Sequence, residues 1–260
     1  MKKMKNETTP KPSTMKKTLL SLCLLLSLLP MRLLATTEVY VVAVGVNTYK
    51  GEPGMSLNFC RQDAMKFASM MLTQTTHVTT LYDEQATRRA VYDKLKQVCS
   101  LADADDVVIF YYSGHGMPSG FCCHDIVYTQ TGLTYTDMQS LFKGCKAKNK
   151  MVYADSCYSG KLRPSGRRSG SAGKKSPVMF FLSSRSNETS IEMKEKQNGV
   201  FTYYLVKGLS GAADSNHDKF ITAKEIFHYV SYQVKQASRQ RQHPVMWGKF
   251  ADDMIVACLN

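Results

Sequence analysis

The sequence has no apolar run long enough to span a membrane and no metal-type spacing of cysteine and histidine. Its main apolar run, residues 19–29, covers eleven positions, about half of the roughly 20 that a membrane-spanning helix needs. Cys60, Cys122 and Cys123 lack the spacing to nearby histidines that zinc sites show. These absences argue against a membrane-spanning protein and against a cysteine–histidine metal site.

Acidic residues are few, and the excess of basic residues is concentrated in one segment. From residue 36 onward the chain carries 27 basic and 20 acidic side chains, a net charge of +7. Six of the basic side chains lie within residues 161–175, which contain no acid. A nucleic-acid-binding protein distributes basic residues over a docking face. Because the rest of this chain is close to neutral, we do not expect a nucleic-acid partner.

The N-terminus has the pattern of a secretory signal peptide. Met15, Lys16 and Lys17 form a basic segment before the apolar run, and Ala35 offers a small residue for cleavage. We therefore expect residues 1–35 to be a signal peptide, with Met15 as an alternative start. Residues 36–260 would form one secreted or periplasmic domain. Lipidation at Cys23 is not expected, because the preceding residue is a bulky leucine.

Seven cysteines follow residue 35, at positions 60, 99, 122, 123, 145, 157 and 258. An exported compartment permits disulfides, and an odd number leaves at least one thiol free or paired with another molecule. The sequence does not indicate which cysteines would pair. If Cys157 acts as a nucleophile, it must be a free thiol.

Strand and helix patterns alternate along the chain, which is typical of a doubly wound, mostly parallel sheet. The first strand, residues 38–45, is expected to be central, and residues 121–129 suit a hairpin. Further strands are expected at residues 78–82, 106–113, 150–154 and 177–182. Helices are expected at residues 57–72 with Ser56 as N-cap, at residues 88–99 with Thr87 as N-cap, and at residues 135–142.

Two of these strands end in residues that can carry chemistry. Residues 106–113 run into Gly114-His115-Gly116, and residues 150–154 run into Asp155-Ser-Cys157-Tyr-Ser-Gly160. Ligands collect at the carboxyl ends of parallel strands. A thiol and an imidazole at one edge of the sheet are the two groups that a cysteine nucleophile with its base requires.

These segments resemble the caspase and metacaspase peptidases, in particular the metacaspase-like branch. Forty-two positions separate His115 from Cys157, close to the spacing of about 50 in caspase-type enzymes. The resemblance runs from residue 38 to the C-terminus and includes residues 183–188 and 199–205. It implies the caspase fold, an α/β doubly wound sheet of six mostly parallel strands flanked by helices. The pattern of strands and helices agrees with that fold.

The resemblance implies a catalytic role for each of the two strand ends. Cys157 would attack the scissile carbonyl as a thiolate, with His115 as its base and then as the acid for the leaving amine. The backbone amides of Gly116 and Cys157 would form the oxyanion hole. The alternative is a buried structural cysteine and a histidine in a turn.

The resemblance also implies a substrate-binding S1 pocket built by Asp63 and Asp155, with Cys60 and Ser113 in its lining. Two carboxylates in a desolvated pocket would repel an aspartate side chain and pair with arginine or lysine. Alternatively, Asp63 is a helix-surface charge and Asp155 forms a turn. Arg61 could neutralise Asp63, but on a helix it points to the opposite side.

Residues 214–225 partly match a calcium-binding loop. Asp214, Asn216, Asp218 and Glu225 occupy ligand positions, as does Thr222, but Lys219 stands where the loop needs glycine. The alternative, which we favour, is a polar turn in which Thr222 and Glu225 cap the following helix. Calcium is thus a candidate cofactor, and the peptidase chemistry itself requires none.

The basic loop at residues 161–175 follows Cys157 closely, so an enzyme specific for basic residues is placed to cut itself there. Arg167 and Arg168 are the favoured sites, followed by Arg163, which precedes a proline, and Lys175, which lies just before Pro177. We therefore expect a secreted, monomeric cysteine endopeptidase that takes protein or peptide substrates with a basic P1 residue. The alternatives are another arginine-specific peptidase group, such as clostripain or gingipain, and a catalytically weak caspase-like scaffold.

Overall fold

The computed structural model describes residues 37–117, 120–127, 132–156, 178–185, 188 and 190–259. The predicted signal peptide lies outside the described residues. The same holds for Cys157 and for the basic loop at residues 161–175, with its four candidate cleavage sites Arg163, Arg167, Arg168 and Lys175. Residues Thr37–Asn260 group into one unit.

The strands of this unit are β1 (Val39–Gly45), β2 (Val78–Tyr82), β3 (Val107–Ser113), β4 (Gly116–Met117), β5 (Gly120–Phe121), β6 (Leu133–Thr134), β7 (Asn149–Asp155), β8 (Val178–Leu182), β9 (Glu192–Met193), β10 (Asn198–Gly199), β11 (Phe220–Thr222), β12 (Val245–Gly248) and β13 (Ile255–Cys258). The α-helices are α1 (Cys60–Met71), α2 (Arg88–Leu101), α3 (Tyr135–Gly144), α4 (Val200–Lys207) and α5 (Ala223–Ala237). Short 3-10 turns cover Pro53–Met55, Asp83–Gln85 and Lys194–Lys196, and a π-helical turn, Gly208–Ala212, follows α4.

Six strands form one sheet in the order β2-β1-β3-β7-β8-β12. The first five are parallel, and β12 pairs antiparallel with β8 at the edge. The predicted fold class is therefore confirmed. The chain passes from β1 to β2 on one side and then to β3 on the other, so a topological switch point lies between β1 and β3. At such a point the crevice beyond the carboxyl ends of the strands is the usual ligand site.

The strands are apolar nearly throughout because helices cover both faces of the sheet. One face packs Val42, Val44 and Phe110 against α2 and α3. The other packs Val41 and Tyr111, with their neighbours, against α1, α4 and α5. This two-sided burial fixes the carboxyl ends of the central strands, where the candidate site lies.

Several local predictions hold, because they depend on neighbouring residues. Thr87 caps α2 by accepting a hydrogen bond from the backbone N–H of Ala90 at 3.3 Å. β2 has the predicted bounds, and β1, β3, β7, β8 and α3 differ from the predicted bounds by one or two residues. Thr222 and Glu225 form the predicted capping box at the start of α5.

Other predictions were wrong. β1 lies next to the edge strand β2, whereas the centre of the sheet is formed by β3 and β7. α1 begins at Cys60, and Ser56 is not its cap. The Glu192 carboxylate from the distant strand β9 accepts hydrogen bonds from the backbone N–H groups of Asn58 and Phe59 at 3.2 and 3.3 Å instead. An anionic group there stabilises the helix N-terminus.

Within the described part of the region expected to form a hairpin, residue 121 belongs to β5, which pairs antiparallel with β4 and β6 in a small three-stranded sheet. Residues 128 and 129 of that region lie outside the described residues. The helix α4 and the edge strand β12 were not predicted. In the part of the chain that the structure describes, no helix is both long enough and apolar enough to cross a lipid bilayer.

Candidate active site

The ends of β3 and β7 lie side by side. Ser113 and Asp155 are paired residues in the parallel register, and the backbone N–H of Gly114 donates to the Asp155 carbonyl at 3.2 Å. His115 follows Ser113 by two positions, and Cys157 follows Asp155 by two positions. The two chain segments that carry the predicted catalytic residues therefore leave the sheet from adjacent strands at the same edge.

His115 is held by three polar contacts from two segments of chain. Its ring Nε2 lies 2.7 Å from the carbonyl oxygen of Met55, and its backbone N–H donates to the Tyr49 hydroxyl at 2.7 Å. The Tyr112 hydroxyl donates to the His115 carbonyl at 2.8 Å. A carbonyl oxygen only accepts hydrogen bonds, so Nε2 carries the proton in this contact. In the neutral ring Nδ1 is then the free base.

Gly114 and Gly116 flank this histidine, and Gly114 is buried. A Cβ atom on Gly114 would lie 2.3 Å from the Tyr112 hydroxyl and 2.9 Å from the Tyr49 hydroxyl. The position therefore excludes a side chain, because the two tyrosines that hold His115 fill the space. Gly116 opens β4, opposite Phe121, and is partly exposed.

Asp63 lies in the first turn of α1 and is buried, with 2% of its surface exposed. Its Oδ1 accepts hydrogen bonds from Asn198 Nδ2 at 2.8 Å and from the backbone N–H of Gly199 at 2.9 Å. Its Oδ2 accepts from the Ser113 hydroxyl at 2.9 Å. The position is thus not on the helix surface.

Asp155 ends β7 and is also buried. Its Oδ2 accepts hydrogen bonds from the backbone N–H and the hydroxyl of Thr202, at 3.1 and 2.9 Å. The hydroxyls of Ser183 and Ser190 lie near this carboxyl and counter part of the burial that raises its pKa. Asp155 is therefore held by Thr202 of α4 and lies near side chains of the segment after β8.

Gly199 separates the two carboxylates. A Cβ atom on it would lie 2.1 Å from Asp155 Oδ2 and 3.1 Å from Asp63 Oδ2. Burial raises the pKa of Asp63 well above its ordinary value, and the nearby Asp155 raises it further. Burial likewise raises the pKa of Asp155. Two buried acids beside the same glycine favour the protonated form, whereas a cation placed next to them would favour their charged forms.

Arg61 does not supply that cation. Its guanidinium lies 3.9 Å from the Asp83 carboxylate and 5.5 Å from the centre of the Tyr82 ring, on the other side of α1. Among the ion pairs of the described residues, none involves Asp63 or Asp155. Within the described part of the chain, the two carboxylates therefore have hydrogen-bond donors but no counter-charge.

Cys60 and Ser113, the other two residues of the predicted pocket lining, lie near the same two acids. The Ser113 hydroxyl donates to Asp63 and acts to lower the pKa of the Cys60 thiol. Burial, followed by the Asp63 charge, raises the pKa of Cys60 well above its ordinary value, so this thiol stays protonated. All six cysteines among the described residues are free thiols, at positions 60, 99, 122, 123, 145 and 258.

Sequence reasoning missed the groups that hold these side chains in place. Met55, Tyr49 and Tyr112 orient His115, and Asn198, Gly199 and Thr202 surround the two acids. Residues 199–205 were recognised only as part of a resemblance. No local pattern links them to residues far away in the chain.

The acidic loop of residues 214–225 is held by its own backbone. Asp214, Asn216 and Asp218 accept hydrogen bonds from the backbone N–H groups of residues 219, 218 and 220, and both oxygens of Glu225 accept hydrogen bonds, from Ser215 and from Thr222. Among the described residues, no group of three or more histidines, cysteines and acids is arranged to hold a metal ion.

Comparisons with known proteins agree with this architecture. The family model described as the caspase domain matches residues 39–255. Protein GSU0716 from Geobacter sulfurreducens superposes with a TM-score of 0.64 at 18% identity, covering 86% of this chain and 100% of its own. Caspase-1 from Spodoptera frugiperda gives a TM-score of 0.61 at 12% identity, covering 86% and 89%. A structure described as pro-sf-caspase-1 gives 0.60 at 12% identity, covering 86% and 94%. No curated protein sequence matches the chain.

Proposed function

The chain belongs to the caspase-domain family of cysteine peptidases, and we propose that it is an active, secreted endopeptidase that cleaves peptide bonds after arginine or lysine. The proposed specificity rests on one observation: two buried carboxylates, Asp63 and Asp155, flank Gly199 with no counter-charge among the described residues. A cationic P1 side chain would supply the missing charge.

The surroundings of Asp63 and Asp155 favour the binding of a cation over the binding of an anion. An ionised carboxylate buried without a partner is costly, and a second one beside it adds repulsion. An aspartate side chain would add a third negative charge. A guanidinium or ammonium group offers several N–H donors, and charge-assisted hydrogen bonds of this kind are stronger than neutral ones. Binding of arginine or lysine at P1 would thus relieve the repulsion between the two carboxylates.

In the proposed reaction, His115 takes the proton of the Cys157 thiol, and the thiolate Sγ bonds to the scissile carbonyl carbon while the C=O π electrons move to oxygen and form a tetrahedral oxyanion. The backbone N–H groups of Gly116 and Cys157 would stabilise that oxyanion. When the C–N bond breaks, His115 gives its proton to the leaving amine and the acyl group stays on sulfur as a thioester. Water then attacks the thioester, His115 takes the water's proton, and the carboxylic acid leaves as the thiol is restored.

The contact between His115 and Met55 supports this role for the imidazole. Its Nε2–H points to the Met55 carbonyl at 2.7 Å, so Nδ1 is the atom that accepts and returns protons. The carbonyl also stabilises the imidazolium that forms after proton transfer, because its oxygen faces the positive ring.

We also propose that the enzyme cuts its own basic loop. The candidate sites Arg167, Arg168, Arg163 and Lys175 follow β7 and Cys157 in the chain and precede β8. Cleavage there would separate two segments that pair as neighbouring strands β7 and β8, so the two halves would stay together after the cut.

Covalent labelling tests the proposed function directly. A peptidyl-arginine chloromethyl ketone should alkylate Cys157 of the wild-type protein, seen as a single adduct on the peptide containing that residue by mass spectrometry. The peptidyl-aspartate reagent should label far more slowly. Cys157→Ala and a denatured sample serve as controls. Equal labelling by both reagents would refute the specificity, and no adduct at Cys157 would refute the mechanism.

A further inference from the structure

Asn198 connects the proposed S1 pocket to a lysine outside it. Its side chain is buried, with 1% of the residue exposed. The amide nitrogen Nδ2 donates to Asp63 Oδ1 at 2.8 Å, and the amide oxygen accepts a hydrogen bond from Lys66 Nζ. Lys66 Nζ also donates to the backbone carbonyl of Lys196 at 2.8 Å. Lys66 lies on the next turn of α1 after Asp63, so one helix carries both ends of this chain of hydrogen bonds.

The lysine determines which way the amide faces. A lysine ammonium can only donate hydrogen bonds, whereas an asparagine side chain has an accepting oxygen and a donating nitrogen. With its oxygen fixed by Lys66, the amide presents its N–H group to Asp63. Reversing the amide would place its oxygen against a carboxylate oxygen and its N–H group against the ammonium, and both contacts would be unfavourable.

We propose that Lys66 is a positioning residue for the S1 pocket. By fixing the Asn198 amide, it keeps a hydrogen-bond donor on Asp63, and this donor keeps the carboxylate ionised for binding a basic side chain. The proposal rests on the function proposed above and deepens it. Lys66 is exposed and acts through Asn198, so it has no contact with substrate in this account.

The groups around Asp63 explain why one donor matters. Asp155 of β7 faces it as a like charge, and Tyr111 of β3 and Cys60 of α1 are close, neutral and buried. Glu192 of β9 is a further acid near Cys60. Against these, the hydrogen bonds from Asn198, Gly199 and Ser113 lower the pKa of Asp63. Loss of the Asn198 donor should therefore let the pKa of Asp63 rise.

A matched pair of lysine variants tests the proposal. Lys66 and Lys207 both line a groove of about 1020 Å³ beside α1 and α4, and only Lys66 is bonded to Asn198 among the described contacts. In Lys66→Met, the acid limb of kcat/KM against pH for an arginine substrate should move to higher pH. On that limb kcat/KM at a fixed pH should fall roughly tenfold. The decrease in kcat/KM should come from a higher KM, with kcat changed less than about twofold.

Lys66→Arg should restore the wild-type profile, since arginine is also only a donor. Lys207→Met should match the wild type, and a substrate with alanine at P1 should show the smaller change in every variant. A Lys66→Met profile that coincides with the wild-type profile would overturn the inference.

A second measurement does not depend on peptidase activity. In the full-length Cys157→Ala protein labelled with ¹³C at aspartate carboxyl carbons, the Asp63 resonance can be assigned by its loss in Asp63→Asn. Adding Lys66→Met should raise its titration midpoint, whereas Lys207→Met should not. An unmoved midpoint overturns the positioning role whatever the peptidase result. A moved midpoint, in a wild-type protein that fails to cleave after arginine or lysine, refutes the proposed function and the specificity role of Lys66 together.

Discussion

Asp63 of α1 and Asp155 of β7 approach Gly199 so closely that a methyl group there would lie 3.1 Å from one carboxylate and 2.1 Å from the other. The glycine is therefore part of the site, because it leaves room between two buried acids. The two acids come from a helix and a strand of the main sheet, and the glycine between them belongs to a third element, β10. This relationship leads to predictions about binding, stability and processing.

Gly199→Ala should remove activity against arginine substrates while the sheet remains folded. The added methyl group must displace Asp155, and a displacement of about 1 Å at an active site can cost on the order of a hundredfold in rate. Steady-state kcat/KM measures the effect, with circular dichroism to check folding. Gly144→Ala is the matched control, because a Cβ atom there meets nothing within 4 Å. Equal activity of the two variants would contradict the proposed place of Gly199 in the pocket.

Asp155→Asn should weaken cleavage after arginine far more than cleavage after alanine. Truncating one partner of a buried charge pair costs about 2–5 kcal/mol, which applies only when the substrate supplies the other charge. The ratio of kcat/KM for the two substrates measures the difference. Asp93→Asn, which neutralises an exposed acid paired with Arg89, should leave the ratio unchanged. The same loss on both substrates would show that Asp155 acts in structure alone.

The two buried acids should also make stability depend on pH. Burial raises the pKa of Asp63 and of Asp155 in the folded protein. A carboxyl group of this kind stabilises the fold fully below its unfolded-state pKa of about 3.9, and this stabilisation is lost as the pH rises through the folded-state value. At pH 8 both groups are charged in the unfolded chain, and the folded state bears the cost of their burial.

Asp155→Asn removes one of these charges, so it should raise Tm by a few degrees at pH 8 and by less or not at all at pH 4. Thermal unfolding of the variant in the Cys157→Ala background, which prevents self-digestion, gives the two differences. A change in Tm that is the same at both pH values would refute the account of the pair as costly buried charges.

Self-cleavage should give the purified wild-type protein a second N-terminus within the basic loop. Arg167 and Arg168 are the favoured sites, so N-terminal sequencing should find a start just after one of them. The second start should be missing from Cys157→Ala, because the cut requires the nucleophile. An intact wild-type chain with full activity would show that the loop has no role in activation.

The sequence predicted the parts of this molecule that depend on local patterns. Thr87 and the Thr222–Glu225 capping box satisfy backbone groups within a single turn, so residue types at fixed spacing are sufficient to identify them. Buried parallel strands are equally local, because both faces are apolar and the run of residues is short. The resemblance to a peptidase family added Asp63 and Asp155, which the structure brings together.

What escaped prediction depends on contacts between distant parts of the chain. Glu192 caps α1 from a strand more than a hundred positions away, and Asn198 and Thr202 reach the two acids from β10 and α4. The antiparallel edge strand β12 has only four residues, and its pairing with β8 determines its place. Neither spacing nor composition encodes such partners.

Hydrolysis of a matched set of fluorogenic peptides tests the central claim most directly. The peptides differ only at P1, which is Arg, Lys, Asp or Ala, and the enzymes are wild type, Cys157→Ala, His115→Ala and a control, His124→Ala. His124 is a histidine outside the proposed catalytic pair, and its ring Nδ1 lies 2.7 Å from the Thr48 carbonyl oxygen. We predict cleavage after Arg and Lys by wild type and by His124→Ala, and background rates for the other two variants, since members of a catalytic pair act as a unit. Preferred cleavage after Asp, or undiminished cleavage by Cys157→Ala, would contradict the account.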